Sequence, residues 1–220
     1  VALSSNHPVP LMYQLTHRVF GSEEFWKKLP TLESEDSTES KNWMIERLCS
    51  PAKIAALKQA ITHQSESPKL IATIAVLEYT GSTILLSPEQ SAASNPYEYL
   101  PGKTKAVFQQ SIRTIRGFLR SPNTSLRSRA LQSLAVLHFL QLDVDQAEKH
   151  IMDSQKLGKL NQNSLDLMSL IYSQPNRMDK AEAFFKGVLS KTPDLSSYQR
   201  LASLQFDRGG LAEGKKTATA

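Results

Sequence analysis

The chain has 220 residues, 40% hydrophobic and 21% charged, with 26 Lys+Arg against 21 Asp+Glu for a net charge of +5. That length supports one or two globular domains with a buried core, and the apolar content excludes wholesale disorder. The single cysteine, Cys49, excludes an internal disulfide framework and argues against a Cys-based zinc site, while nine Gly and 11 Pro exclude collagen-like repeats.

Apolar residues recur at helical spacing almost throughout, and period-two alternation is absent, so the pattern predicts an all-α fold. Residues 1–20 hold no apolar run of signal-peptide length, and Val1 is not a methionine, as expected if an upstream segment has been removed or trimmed. Leu11, Leu15 and Val19 define one face of a helix over 9–20. A short helix over 22–29 starts at Ser22 and stops at Pro30. Residues 31–40, TLESEDSTES, are polar and acidic without periodicity and read as an exposed, mobile loop. Ser40 can cap a helix over 41–48 that carries Trp43 and Leu48. Ser50-Pro51 is a stronger start signal, followed by the stripe Ile54, Leu57, Ile61 and an end near His63.

The longest apolar stretch is 70–86, 17 residues interrupted by Glu78 and Gly81. A membrane span needs about 20 largely uncharged residues. A helix over 69–80, apolar nearly all round, is therefore expected to be buried on several sides. Residues 87–103 contain three prolines and a glycine and read as a linker between an N-terminal helical region, 1–86, and a second domain, 104–220. The second domain opens with a helix over 104–120 whose apolar side carries Val107, Phe108, Ile112, Ile115, Phe118 and Leu119.

The C-terminal part repeats. Residues 131–154 align with 165–188 at a shift of 34: Leu131 with Leu165, Leu134 with Met168, Ala147 with Ala181, Ile151 with Phe185. A third copy, offset by 33, places Tyr198, Leu201 and Ala202 in the same roles. Each copy reads as helix, turn, helix. Small residues (Ala135, Ala147, Ala181, Ala202, Gly214) stand where helices must approach closely, and Leu134, Ile151, Met168, Phe185 and Leu201 fill the layer between copies. A single helix pair cannot bury its apolar face, so such units stack.

This period and pattern resemble the tetratricopeptide repeat family over about 126–216. Leu165, Met168, Ser169, Tyr172, Ala181, Phe185 and Pro193 follow the family's order, whereas His138 and Lys159 depart from it in the first copy. The resemblance implies an α-α superhelix, a helical-hairpin solenoid with the N-terminal helices packed on it. It also implies a concave groove, lined by the first helix of each pair, that binds a partner helix or peptide. By register the groove residues are Gln132, Val136, Phe139 and Leu140 in the first copy. The second copy adds Asp166, Leu170 and Gln174, and the third Gln199 and Phe206. The Lys, Arg and Asn clamp of the family's chaperone-tail binders is missing from these positions. An apolar strip suits an amphipathic helix or extended apolar segment. The alternative is that the chain's own upstream helices fill it. The implied role is a non-enzymatic scaffold or adaptor subunit within a multi-subunit complex.

From Tyr99 to Leu142 there is no acidic residue, but there are seven basic ones, including Arg113, Arg116, Arg120, Arg127 and Arg129. Arg113, Arg116 and Arg120 share a helix face and can contact RNA phosphates, anionic lipid headgroups or an acidic partner. The plainer alternative is a solvated face, or one paired to acids elsewhere such as the run around Glu33, Glu35 and Asp36. Aromatics are not interleaved with these arginines, which speaks against a base-stacking platform.

Catalytic signatures are absent. His7, His17, His63, His138 and His150 make no close metal spacing, and no phosphate-binding glycine loop or nucleophile elbow occurs. Cys49 precedes a helix start but reads as a buried structural thiol. No cofactor, metal or small-molecule substrate is expected. A lone cysteine suits a reducing, intracellular setting, the cytoplasm or, after loss of an N-terminal segment, an organelle lumen or matrix.

Overall fold

The computed structural model describes residues 41–42, 45–46, 49–63, 67–158, 160–172, 177–191, 195–207 and 210–218. The expected helices over 9–20 and 22–29, the loop 31–40, Trp43 and Leu48 lie outside them. The described residues between 41 and 49 are helical, and no strand occurs among the described residues.

In chain order the helices are α1 (Pro51–His63), α2 (Pro68–Ile84), the single turn α3 (Pro88–Ser91), α4 (Gly102–Gly117) and α5 (Thr124–Leu140). They continue as α6 (Val144–Leu157), α7 (Gln162–Tyr172), α8 (Met178–Lys191), α9 (Leu195–Asp207) and α10 (Leu211–Ala218). A 3-10 turn precedes α4 at Pro96–Tyr99, and another extends it at Phe118–Arg120. The chain forms two compact units that divide between Ala147 and Glu148, inside α6.

Local chemistry sets the helix starts of the first unit. The Ser67 hydroxyl accepts from the Leu70 amide at 3.2 Å, with Pro68 in the first turn. Ser50 does the same for Lys53 at 3.3 Å, and Asn123 for Leu126 at 3.1 Å. Each cap satisfies an amide that the helix leaves without an internal partner.

Helix α2 runs to Ile84, beyond the expected end near residue 80, because Gly81 continues the helix. Its buried positions point in several directions, and it packs against α1, α4 and α5. The core joins Ile71, Ala75 and Tyr79 of α2 to Phe108, Ile112 and Ile115 of α4 and Leu134, Leu137 and Leu140 of α5. Phe118 and Leu119 pack against it. Tyr79, Tyr97 and Phe108 form a ring cluster with centroids 5.6–6.5 Å apart. Two polar links tie the helices together. Ser82 and Thr104 share a hydrogen bond of 2.7 Å, and the Gln141 amide donates to the Tyr97 hydroxyl at 3.0 Å.

The 87–103 stretch, expected as a linker, folds into the first unit. Pro96 is buried, Leu100 belongs to the core, and Tyr97 packs against it. Its prolines start short helical turns at 88 and 96 rather than marking a hinge. Cys49 is buried as expected: a Cβ at Gly81 would stand 3.1 Å from its Sγ, so α2 approaches it closely. Burial, with Glu78 adding to it, pushes the thiol up to about 11, so it stays protonated near neutrality.

In the second unit α7 packs on α8, α8 on α9, α9 on α10, and α7 also meets α9. Met168, Ala181, Phe185, Leu201 and Ala202, assigned by the repeat to helix contacts, are all buried. Gly214 shows why one such position must be small: a Cβ there would lie 2.7 Å from the Phe206 ring.

Helix α5 ends in a left-handed cap. The Asp143 amide donates to the His138 carbonyl and the Leu142 amide to that of Phe139, each at 2.9 Å. Leu142 supplies the left-handed residue at φ 62°, a place usually taken by glycine. Leu142 is exposed, so its side chain contributes little packing to offset the strain. Leu142→Gly is therefore expected to stabilise the protein by about 1 kcal/mol in urea melts.

Candidate functional site

Helix α5 supplies the first four groove positions, and the structure corrects two of them. Leu140 is 2% exposed and lies in the core, and Phe139 is 8% exposed, so neither offers surface to a partner. Val136 is half-buried against the same core, and the half-buried Gln132 donates to the Ser128 hydroxyl at 3.1 Å. Register alone could not pick an open face here, because α5 is buried on several sides. Leu140 belongs to, and Val136 packs against, the core that α5 shares with α2 and α4.

In the second unit, α7 carries Asp166 and Leu170 at i and i+4, and α9 carries Gln199 and Phe206 at i and i+7. Each pair thus shares one helical face. Leu170 is half-buried, Gln199 is exposed, and Phe206 keeps 39% of its surface in solvent while its ring covers Gly214. Gln174 lies outside the described residues. Asp166, expected as an acidic edge, accepts instead from the Arg200 guanidinium, a pair that joins α7 to α9 with both side chains mostly buried. The sequence pattern gave no sign of Arg200, which lies next to the groove position Gln199.

A second buried ionic group joins α6, α7 and α8. Glu148 accepts from Arg177 at 2.5 Å and from the Tyr172 hydroxyl at 3.1 Å, with Lys180 at 3.6 Å. Burial and the Glu148 charge both raise the Tyr172 phenol. The 34-residue alignment shows only that Tyr172 is large. It cannot show that its hydroxyl anchors a carboxylate.

The basic residues lie around the α4–α5 junction. Arg113, Arg116, Arg120 and Arg129 are exposed, and Arg127 is half-buried. Arg113 donates to the Gln110 side chain at 3.1 Å, and Arg127 reaches the Thr124 hydroxyl at 3.5 Å. Among the described residues, no carboxylate pairs with any of the five.

His138 is buried at the end of α5, with Asp143 3.4 Å from its Nδ1. Burial, helped by the Arg116 charge, lowers its pKa, and Asp143 opposes that only in part. Among the described residues, no group of three or more His, Cys, Asp or Glu converges to hold a metal, and no helix is long and apolar enough to cross a membrane.

No family model, no curated protein and no solved structure matches the chain.

Two outcomes follow from these ionisable groups. Glu148→Ala removes the carboxylate that the mostly buried Arg177 and Tyr172 both bond and is expected to cost about 3 kcal/mol, read in urea melts, with the charge-free pair Glu148→Leu/Arg177→Met recovering part of it. Below pH 6.5 the unfolded chain takes up a proton on His138 before the folded chain does. That stability is full above 6.5 and is lost as the pH falls, so the decline below pH 6.5 is expected to flatten in His138→Gln.

Proposed function

We propose that this protein is a non-enzymatic interaction scaffold, an adaptor subunit that holds a helical or extended segment of a protein partner. The observation that carries this reading is the match between the 33-residue offset of the second and third copies and the helix pairs α7–α8 and α9–α10 of the second unit. Met168 and Leu201, and Ala181 and Phe185, are buried at the positions the repeat assigns to helix contacts. Helices built on such a period stack side by side and leave their first members along one surface. The contact of α7 with α9 agrees with that arrangement. The finer fold implied by the tetratricopeptide resemblance, a superhelix of stacked hairpins, belongs to the same proposal.

The binding strip assigned here is confined to α7 and α9. It comprises Leu170 and Phe206 as apolar contacts and Gln199 as a hydrogen-bonding edge. Asp166 holds the two helices in register rather than meeting the partner. Support for a non-enzymatic role comes from the mostly buried charged side chains of this unit. Glu148, Arg177, Asp166 and Arg200 are all taken up in pairs that join helices. Partners of protein chemistry fit such a strip, because a ladder of apolar anchors at helical spacing is how a groove reads an amphipathic helix.

The test compares the wild-type full chain with Leu170→Glu and Gln199→Glu in cross-linked affinity capture with quantitative mass spectrometry. One protein enriched with the wild type and reduced at least tenfold with either variant is expected, with helical circular dichroism unchanged. Equal capture by well-folded variants would show that the strip is misassigned.

A further inference from the structure

The α4–α5 junction carries a dense positive charge, and among the described residues no carboxylate pairs with its arginines. Between Tyr99 and Leu142 the chain has seven cations and no anion, while the remainder is net negative by two. Arg113 and Arg116 lie in the last turn and a half of α4, and Arg120 in the 3-10 turn that follows. Arg127 and Arg129 lie in the first two turns of α5. The short connection at 121–123 is therefore flanked by five arginines within about two to three helical turns of chain on either side.

Three features decide what such a surface recognises. First, its cations are arginines, whose planar forks match phosphate oxygens two at a time. Second, the exposed side chains between them are Gln109, Gln110, Thr114, Thr124 and Ser125, neutral groups that can donate hydrogen bonds without repelling an anion. Third, neither α4 nor α5 carries a large exposed apolar side chain: Tyr99 and Leu142, the nearest in sequence, fall outside both helices. A bilayer contact draws strength from apolar side chains inserted below the headgroups, which this face cannot supply. An acidic helix presents a single row of charges, whereas these arginines are spread over two helices and their turn. A duplex backbone presents phosphates over an area. With no exposed aromatic on either helix, bases cannot be stacked, so readout is confined to the backbone.

We infer that the arginine face at the α4–α5 junction binds the phosphodiester backbone of a nucleic-acid duplex without regard to sequence. This inference uses residues of the first unit alone and does not depend on the α7–α9 strip.

The experiment measures fluorescence anisotropy of a labelled 20-base-pair RNA duplex and of the DNA duplex of the same sequence, titrated with the full chain from 50 to 250 mM NaCl. Saturable binding that weakens steeply with salt is expected. The triple variant Arg113→Gln/Arg116→Gln/Arg120→Gln is expected to bind at least tenfold more weakly at 50 mM. Its salt slope should fall by about three, close to one for each phosphate contact removed. The variant Lys149→Gln/Lys191→Gln removes exposed charges elsewhere and should stay within twofold of wild type. Thermal melts of both variants confirm the fold. Equal affinity for the two duplexes, or a preference for one, supports the inference and identifies the source of the backbone. It is overturned by absence of saturable binding to either duplex at 50 mM, by an unchanged affinity and slope in the triple variant, or by binding confined to phosphatidylserine vesicles.

Discussion

Helix α2 has almost no polar face, and the first unit is organised around burying it. A helix that is apolar on one side needs one neighbour. One that carries Ile71, Ile74, Ala75, Leu77 and Tyr79 in the interior needs several. Helices α1, α4 and α5 supply them, and the 87–103 segment contributes Tyr97 and Leu100 to the same core. Burying each of the larger aliphatic side chains among them is worth roughly 1.5–3 kcal/mol, so leaving any side of α2 in water would cost more than the polar links could recover. The hydrogen bonds Ser82–Thr104 and Gln141–Tyr97 then fix how the neighbours are placed around a core that is itself without direction.

The second unit uses another device. Its helices are amphipathic and pack through a repeating alternation of large and small residues. Among the described glycines, Gly214 under Phe206 is the tightest such approach. Between these layers lie two ion-pair groups, Glu148–Arg177 and Asp166–Arg200, mostly shielded from water. Mostly buried pairs of this sort add little net stability, because desolvation offsets attraction. Separating such partners is nevertheless costly, so a shift of helix register that parted them would be disfavoured.

Charge is thus handled in two ways within one chain. In the second unit the shielded charges are neutralised by neighbours across a helix contact. At the α4–α5 junction Arg113, Arg116, Arg120 and Arg129 are exposed and, among the described residues, unpaired with any carboxylate, which leaves a positive potential that salt will screen. That potential reaches inward as well. Arg116 contributes to keeping the buried His138 uncharged, so the surface field and the interior of the first unit are coupled.

The sequence by itself determined the helical class, the start of α1 at Ser50-Pro51, the buried character of α2, the internal period and the unbroken basic stretch. All of these rest on local rules: spacing of apolar residues, caps, and a count of charges along the chain. Tertiary structure alone decided what depends on neighbours distant in sequence. It turned Phe139 and Leu140 inward, because α5 is buried on more sides than one register can reveal. The expected linker became part of a core, because the same prolines that break helices can also begin them. Asp166 became an anchor rather than a binding edge, because Arg200 lies on the helix packed beside it. A periodic pattern states which side chains need burial. Which neighbour buries them, and which charges are thereby satisfied, is settled only when the helices meet.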